Sequence, residues 1–309
     1  MVLTKLRGEI YLFLGAFLFA FNGIISKIVL LDEISAWRLT QIRTGGAFLI
    51  LFSFFIIFRR SELKPTRAEL PWLLLFGVVG VALVQAFYFV AIERMYVGIA
   101  LLIEFTAPIW ILLFLRFVLK KQVPTGLWYA IALAFTGLLM ITQIWSGLSV
   151  DQIGLVAAFL DALALAGYFL IGDLLGKTKS SGAIATWGFG VASLLLFFAL
   201  PIWNFPFETL TNQMSLLGRF EGFSLPGWVL VLWIVIMGTI APYLFVISGL
   251  KLLSASTASI FGMIEPVLAG IFAWWWLSES LTGVQLIGCL VVIVGISIAD
   301  RVRTGVGKH

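Results

Sequence analysis

The stretch that decides the fold is residues 255–277, ASTASIFGMIEPVLAGIFAWWWL, a long apolar run whose only ionisable side chain is Glu265. A helix of about 20 apolar residues crosses a bilayer, so this run predicts a transmembrane helix. Pro266 lacks the N–H that would bond the carbonyl of Gly262, because a helix pairs each N–H with the carbonyl four residues earlier. The run therefore predicts a membrane span that is interrupted near its middle, beside a carboxylate.

Similar apolar runs lie on both sides of this one, and together they predict ten membrane spans. Their expected bounds are 8–30, 35–58, 70–92, 97–118, 125–145, 152–175, 182–203, 226–251, 255–277 and 282–300. We number them spans 1 to 10 in chain order. The predicted fold class is an all-α polytopic membrane protein.

The composition excludes a soluble protein. Of the 309 residues, 61% are hydrophobic and 11% are charged, with a mean hydropathy of +1.11, whereas soluble domains have about 45–50% apolar and about 25% charged residues. A single cysteine, Cys289, and a single histidine, His309, exclude a disulfide framework, a zinc site and imidazole-based catalysis. We therefore expect no cofactor and no metal, and a membrane enzyme would lack the nucleophile and base that it needs.

The basic residues predict the orientation of the chain, because Lys and Arg accumulate on the cytoplasmic side of a membrane. With the N-terminus inside, the inner segments hold most of the 20 Lys and Arg residues, and the outer segments hold only Arg38, Arg94 and Arg219. This asymmetry predicts that both termini are cytoplasmic. The basic residues are scattered between apolar runs and form no single basic face, so we expect no nucleic-acid partner.

The sequence also contains two related halves. A shift of 158 positions aligns Gly80 with Gly238, Gln85 with Tyr243, Pro108 with Pro266 and Gly137 with Gly295. A shift of 146 positions aligns Asn22 of span 1 with Tyr168 of span 6. We predict two five-span repeats, residues 1–148 and 149–309. Because five is odd, the second repeat must be inverted in the membrane, which is the usual architecture for alternating access.

Four stretches of the chain carry a resemblance to a known family. They are NGIISK (22–27), RTGGAFLIL (43–51), VGIALLIEFTAP (97–108) and residues 254–288. Through them the chain resembles the drug/metabolite transporter superfamily in its ten-helix EamA-type branch, and span 4 is similar to that of bacterial threonine/homoserine exporters. The resemblance implies a secondary transporter of the bacterial inner membrane that exports amino acids or related metabolites, and it leaves the substrate open.

Three carboxylates lie most clearly inside the predicted spans, away from the span ends, where an ionised side chain costs at least about 2.5–3.5 kcal/mol. Glu265 is near the midplane of span 9, Asp161 is at a comparable depth in span 6, and Glu104 is nearer the outer face of span 4. Each could bind a cationic substrate group or take up a proton, or it could stay protonated or paired and hold helices together. Arg43 in span 2 could meet a substrate carboxylate or pair with one of these three.

Prolines and uncharged polar residues extend the candidate site. Pro108 frees the carbonyl of Glu104, as Pro266 does for Gly262, and such carbonyls are tolerated at depth only if protein, water or ligand satisfies them. A kink required for packing is the alternative. The uncharged candidates are Asn22, Gln85, Tyr88, Tyr168 and Tyr243. Hydrogen bonds between helices would explain these side chains as well.

The leading functional hypothesis is a carrier for a small polar metabolite, surrounded by membrane lipid and coupled to protons if the carboxylates titrate. An importer of an amine, nucleoside or other small solute is the alternative. Prolines within inverted repeats are more typical of carriers than of channels. Both a monomer and a homodimer are compatible with the sequence. The outer segment 204–225 could form a short amphipathic helix or an ordered loop.

Overall fold

The computed structural model describes residues 2–32, 34–95, 97–143, 145 and 151–306. Within these residues, ten helices are long and apolar enough to cross a membrane. Spans 1 to 10 run over Leu6–Leu30, Ala36–Phe58, Leu70–Arg94, Ile99–Val118, Thr125–Thr142, Gln152–Gly176, Ser181–Ala199, Gly227–Leu250, Ala255–Leu277 and Gly283–Val302. Each is within a few residues of its predicted bounds, so the all-α polytopic fold class is confirmed.

Side-chain caps begin several spans. Oδ1 of Asp151 accepts the N–H of Gly154 at 2.8 Å at the start of span 6. Ser35, Ser180 and Ser254 accept backbone N–H groups at the starts of spans 2, 7 and 9. These oxygens satisfy donors that the first turn of a helix leaves unpaired. The caps therefore fix where the chain turns into the membrane.

Spans 4 and 9 each consist of helical segments in line. The segments are Val97–Glu104, Ala107–Leu113 and the π-helical Phe114–Val118 in span 4, and Ala255–Gly262 and Glu265–Leu277 in span 9. At the first break Thr106 N donates to Ile103 O at 3.0 Å, and at the second Met263 N donates to Ile260 O at 3.1 Å. Both are bonds across three residues instead of four. The interruptions that the two aligned prolines predict are present.

Spans 3 and 8 both contain a π-helical segment, Phe76–Leu83 and Ile236–Ile240. Each includes one glycine of an aligned pair, and each glycine lies against another span. A Cβ on Gly80 would lie 3.2 Å from the Cα of Tyr168, and a Cβ on Gly238 would overlap Oδ1 of Asn22. Span 3 thus crosses span 6 as span 8 crosses span 1. Two inverted repeats would produce this correspondence, and the division into residues 1–148 and 149–309 stays a prediction.

Spans 5 and 10 pack backbone against backbone. A Cβ on Gly137 would lie 2.6 Å from the carbonyl oxygen of Gly288, and a Cβ on Gly295 would lie 2.8 Å from the nitrogen of Ala134. Small residues allow helices to approach this closely. These two spans form one edge of the bundle.

The segment between spans 7 and 8 is an ordered loop. It contains the 3₁₀ turns Ile202–Asn204, Phe207–Leu210 and Gly218–Phe220 and the antiparallel strands Gln213–Ser215 and Ser224–Pro226. Elsewhere, the short helix Arg60–Leu63 follows span 2. Met214 is 3% exposed, whereas Phe207 is 54% exposed. The amphipathic-helix alternative is therefore wrong, because the apolar side chains do not share a helical face. Trp276 Nε1 donates to the Leu216 carbonyl at 2.7 Å and attaches the loop to span 9.

Candidate substrate cavity

A cavity of about 840 Å³ lies in the middle of the bundle, enclosed by spans 1, 2, 3, 4, 6, 8 and 9. The predicted site residues that line it are Asn22, Arg43, Gln85, Tyr88, Glu104, Pro108, Tyr168, Tyr243 and Glu265. Two predicted residues, Asp161 and Pro266, do not line it. The described parts of spans 5, 7 and 10 contribute no lining residue. Residues more than 200 positions apart in the sequence therefore meet around one space.

Asp161 lies behind the wall of this cavity. Its side chain is 1% exposed, and alanines near it on span 6, such as Ala157, Ala158 and Ala162, are equally sealed. Small residues on span 6 let spans 3 and 4 pack over the carboxyl. Asp161 does not line the cavity in this conformation, and its part in substrate binding or coupling stays a prediction.

Pro266 is also outside the lining, although Glu265 before it and Gly262 four residues earlier line the cavity. As the second residue of the helix Glu265–Leu277, the proline occupies a position where a helix needs no N–H donor. Pro266 therefore shapes the break in span 9 without contacting the cavity.

Arg43 is attached to span 8. Its Nε donates to Thr239 Oγ1 at 3.0 Å, and its Nη2 donates to the Gly238 carbonyl at 3.3 Å. Thr239 Oγ1 in turn donates to the Ile234 carbonyl at 2.9 Å. Among the described residues nothing accepts a hydrogen bond from Nη1 of Arg43, so this nitrogen is available to a ligand.

Pro242, which is not among the predicted site residues, allows this attachment. Pro242 follows Gly238 by four residues and supplies no N–H to its carbonyl. The carbonyl can then accept from Arg43. A proline inside span 8 was the available signal, and it is the same signal that marked spans 4 and 9.

Glu104 and Glu265 have different electrostatic surroundings. Glu265 is close enough to Arg43 and to Glu104 to interact with both charges. Glu104 interacts with the buried Asp161. Tyr88 is within electrostatic reach of all four groups. Three carboxyl groups thus share one guanidinium, and a proton or a cationic ligand must balance the excess.

Tyrosines and amides form much of the remaining wall. The side-chain amide of Gln85 hydrogen bonds to the Tyr243 hydroxyl, and the Tyr243 ring lies 5.8 Å from that of Tyr168, nearly perpendicular to it. Oδ1 of Asn22 and the hydroxyl of Tyr168 are buried and have no hydrogen-bond partner in the described part of the chain. Both residues line the cavity, but these two atoms are sealed in its wall, and Oδ1 of Asn22 faces Gly238 of span 8.

The two ends of the cavity differ. At one end Lys27 Nζ and Glu279 Oε1 form an ion pair at 3.1 Å, and Leu31 beside them is 67% exposed. At the opposite end, the lining residues Leu12 and Ala16 of span 1 are only 4% and 3% exposed. Beyond them, a Cβ on Gly8 would lie 2.7 Å from the side chain of Leu253, which follows span 8. The cavity is therefore open at the Lys27 end and closed at the Gly8 end.

Several transporters are similar to this chain along most of its length. An uncharacterized transporter of Archaeoglobus fulgidus is 25% identical over 294 residues, covering 95% of this chain and 96% of the relative. The uncharacterized inner membrane transporter YicL of Salmonella typhimurium is 24% identical over 311 residues, covering 96% and 97%. The threonine/homoserine exporter RhtA of Escherichia coli is 27% identical over 265 residues, covering 84% and 80%.

The same fold occurs in a crystal structure that covers 94% of this chain and 96% of its own, with a TM-score of 0.74 and 16% identity. The sequence profile of the EamA-like transporter family matches residues 6–143 and again residues 152–299. The expected family and the expected transporter class are thus confirmed. With its ten spans and these two matches, the chain is a multi-pass membrane transporter that belongs to the EamA-like transporter family.

Proposed function

We propose that this chain is a secondary transporter that exports an amino acid, or a closely related small polar metabolite, across the bacterial plasma membrane by alternating access. The observation that carries the proposal is the opposite charges in one cavity, whose wall contains Arg43, Glu265 and Glu104. An amino acid presents a carboxylate and an ammonium group that match these charges. The name of the relative RhtA, a threonine/homoserine exporter, supports this substrate class.

Alternating access requires that one end of the cavity is open while the other is closed. The Lys27 end is open and the Gly8 end is closed. With a cytoplasmic N-terminus, as the basic residues predict, the open end is extracellular, which is the state that releases an exported substrate. The breaks in spans 4 and 9 provide places where the helices can bend to close it.

An amine is the second candidate substrate, in either direction of transport. Glu104, Glu265 and the buried Asp161 outnumber Arg43, the basic side chain near them. Since excess negative charge in a low-dielectric site favours a cation, an amine without a carboxylate would balance the site. Nucleosides and other small solutes belong in the same test.

Counterflow tests the proposal directly. The purified protein is placed in liposomes, and uptake of a labelled amino-acid panel is measured with and without the unlabelled compound trapped inside. We expect trapped substrate to stimulate uptake of one class of amino acid, and E265Q to weaken it. E93Q is the matched control, because Glu93 is exposed at the end of span 3, where it accepts from Trp37 Nε1 at 3.1 Å. Correctly inserted protein that exchanges no amino acid contradicts the proposal, and amines are then the next panel.

A further inference from the structure

Thr239 on span 8 is buried behind the cavity wall and hydrogen bonded on both sides. It is 1% exposed and does not line the cavity. Its Oγ1 accepts from Nε of Arg43 at 3.0 Å and donates to the carbonyl of Ile234 at 2.9 Å. Because the single hydroxyl proton is used on Ile234, the lone pairs of the oxygen are left for the guanidinium. Thr239 therefore reaches the cavity through Arg43 and not through a contact of its own.

The spacing of the Thr239 hydrogen bond follows from the π-helical segment Ile236–Ile240. Thr136 and Thr186, which lie in α-helical spans, donate to carbonyls four residues earlier, at 2.8 Å and 2.7 Å. Thr239 donates to the carbonyl five residues earlier, which is the spacing of a π-helix. In the π-helical segment of span 3, the shift of 158 positions places Val81 where span 8 has Thr239. The π-helix therefore does not require a hydroxyl at this position.

Arg43 is held on span 8 although two carboxylates line the same cavity. Glu104 and Glu265 are lining residues, yet among the described residues Arg43 forms no ion pair. A guanidinium bonded directly to a carboxylate would use the charge of both groups, and neither would remain for a ligand. Thr239 and the Gly238 carbonyl are neutral, so they fix the guanidinium without using its charge. The wall thus presents positive and negative charge at separate places.

We propose that Thr239 is the positioning residue that makes the cavity selective for a substrate with both a carboxylate and an ammonium group. It holds the Arg43 guanidinium apart from Glu104 and Glu265, so that the substrate carboxylate binds Arg43 and its ammonium group binds a carboxylate of the wall. The inference rests on the proposed function, because an amino acid is a substrate that presents both groups. Without the hydroxyl, Nε of Arg43 loses its acceptor, and the guanidinium turns to a carboxylate of the wall.

T239V tests the selectivity, because valine keeps the branched shape of threonine and lacks the hydroxyl. Counterflow is measured with the exchanged amino acid and, in competition, with its methyl ester, which keeps the ammonium group and lacks the carboxylate. We expect T239V to raise the half-saturating concentration of the amino acid about tenfold, as for the loss of a hydrogen bond to a charged group, and that of the ester by less than about twofold. T239S, which retains the hydroxyl, should keep the preference of the wild type.

T186V is the matched control for this experiment. Thr186 on span 7 is 2% exposed, does not line the cavity, and donates to the Gly182 carbonyl at 2.7 Å. T186V should leave the preference for the amino acid over the ester unchanged. Equal losses for the two compounds in T239V, or a loss in T239S as large as that in T239V, overturn the inference, because a packing defect would produce them. If T239V does not insert, T239A removes the same hydroxyl.

Thermal stability tests the attachment of Arg43 without any substrate. The proteins compared are the wild type, T239V, R43M and the double variant. T239V leaves a guanidinium nitrogen without its acceptor in the wild type but not in R43M, so we expect it to lower the melting temperature clearly less in the R43M background. Equal lowering in both backgrounds overturns the inference. Absence of amino-acid exchange in the wild type contradicts the proposed function instead, and the melting temperatures then decide whether Thr239 holds Arg43.

Discussion

The two halves of this transporter share a backbone plan but carry different charges on it. Span 4 and span 9 break at aligned prolines, and spans 3 and 8 have π-helical segments at aligned positions. In the first half the carboxylate, Glu104, ends the segment before the break, and the titratable group that interacts with it is another carboxyl, Asp161. In the second half Glu265 begins the segment after the break and lies near Arg43. The two halves thus have similar backbones, but the groups beside the two carboxylates differ in charge.

The difference shows which features of a repeat are set by geometry and which by function. A break in a span needs only a proline at the right depth, so both halves keep it. The charge beside the break depends on what faces it from the other half, and Arg43 belongs to the first half while its anchor, Gly238, belongs to the second. A charged side chain of the first half is therefore held in place by the backbone of the second.

The largest expected effect comes from Glu265. E265Q removes the carboxylate that interacts with the Arg43 charge and that could hold a substrate ammonium group, and since a hydrogen bond to a charged group is worth about 1.5–3 kcal/mol, counterflow should fall by about 30-fold. A double variant, R43Q with E265Q, should recover part of this loss. R43Q should give no such recovery to E104Q, and equal recovery in both backgrounds would show that the two halves do not differ in charge pairing.

A smaller effect is expected at the two glycine crossings. G238A overlaps Oδ1 of Asn22 and forces its amide to rotate, whereas a Cβ on Gly80 meets the backbone of Tyr168 at 3.2 Å. Overpacking costs about 1–3 kcal/mol. We expect G238A to reduce counterflow about tenfold, and G80A to lower thermal stability more than counterflow. Measurement of both quantities on both variants checks this, and identical profiles would argue against a functional difference between the crossings.

A few-fold effect is expected from the two prolines that interrupt spans 4 and 9. Alanine at either position supplies the missing N–H and straightens the span. P108A should reduce the maximal counterflow rate more than P266A, because Pro108 lines the cavity and frees the carbonyl of Glu104, while Pro266 lies outside the lining. Counterflow over a range of substrate concentrations separates a change in rate from a change in affinity. A larger loss in P266A would contradict the assignment.

The smallest effect is at the start of span 3, where Thr66 and Glu69 cap the helix reciprocally and Glu69 pairs with Lys179 at 3.3 Å. Span 8, the aligned span, begins after Pro226 without a side-chain cap. Hydrogen bonds, the largest from the Thr66 backbone N–H and smaller ones from the side chains of Thr178, Thr66 and Lys179, lower the pKa of Glu69 from 4.5 to about 2. A lowered pKa stabilises the fold above the ordinary value, and this stabilisation is lost as the pH falls toward the lowered one.

E69Q should therefore melt at a slightly lower temperature than the wild type at neutral pH. The difference should shrink as the pH falls from about 4.5 toward about 2. Thermal unfolding of the purified protein across this range provides the measurement. A difference that grows on acidification would mean that the cap does not act through the charge of Glu69.

The spans and their two breaks could be predicted from the sequence because length, hydropathy and proline are local signals. The direction in which the Asp161 side chain points could not be predicted, since a span with apolar residues on all sides has no periodicity that marks its inner face. The ion pair between Lys27 and Glu279 joins residues 252 positions apart, and only the packing of spans shows it. Pro242 was visible in the sequence, but its consequence depends on Arg43 from another span.

The contact between spans 5 and 10 has a mechanical consequence. Gly137 and Gly288 bring two backbones together with no side chain between them. No side chain at this contact can therefore change its rotamer to accommodate a shift of one helix against the other. The two halves cannot slide apart at this edge without losing the contact entirely. Under the proposed alternating access, we expect spans 5 and 10 to keep this contact and to move together, while the spans that line the cavity move relative to them.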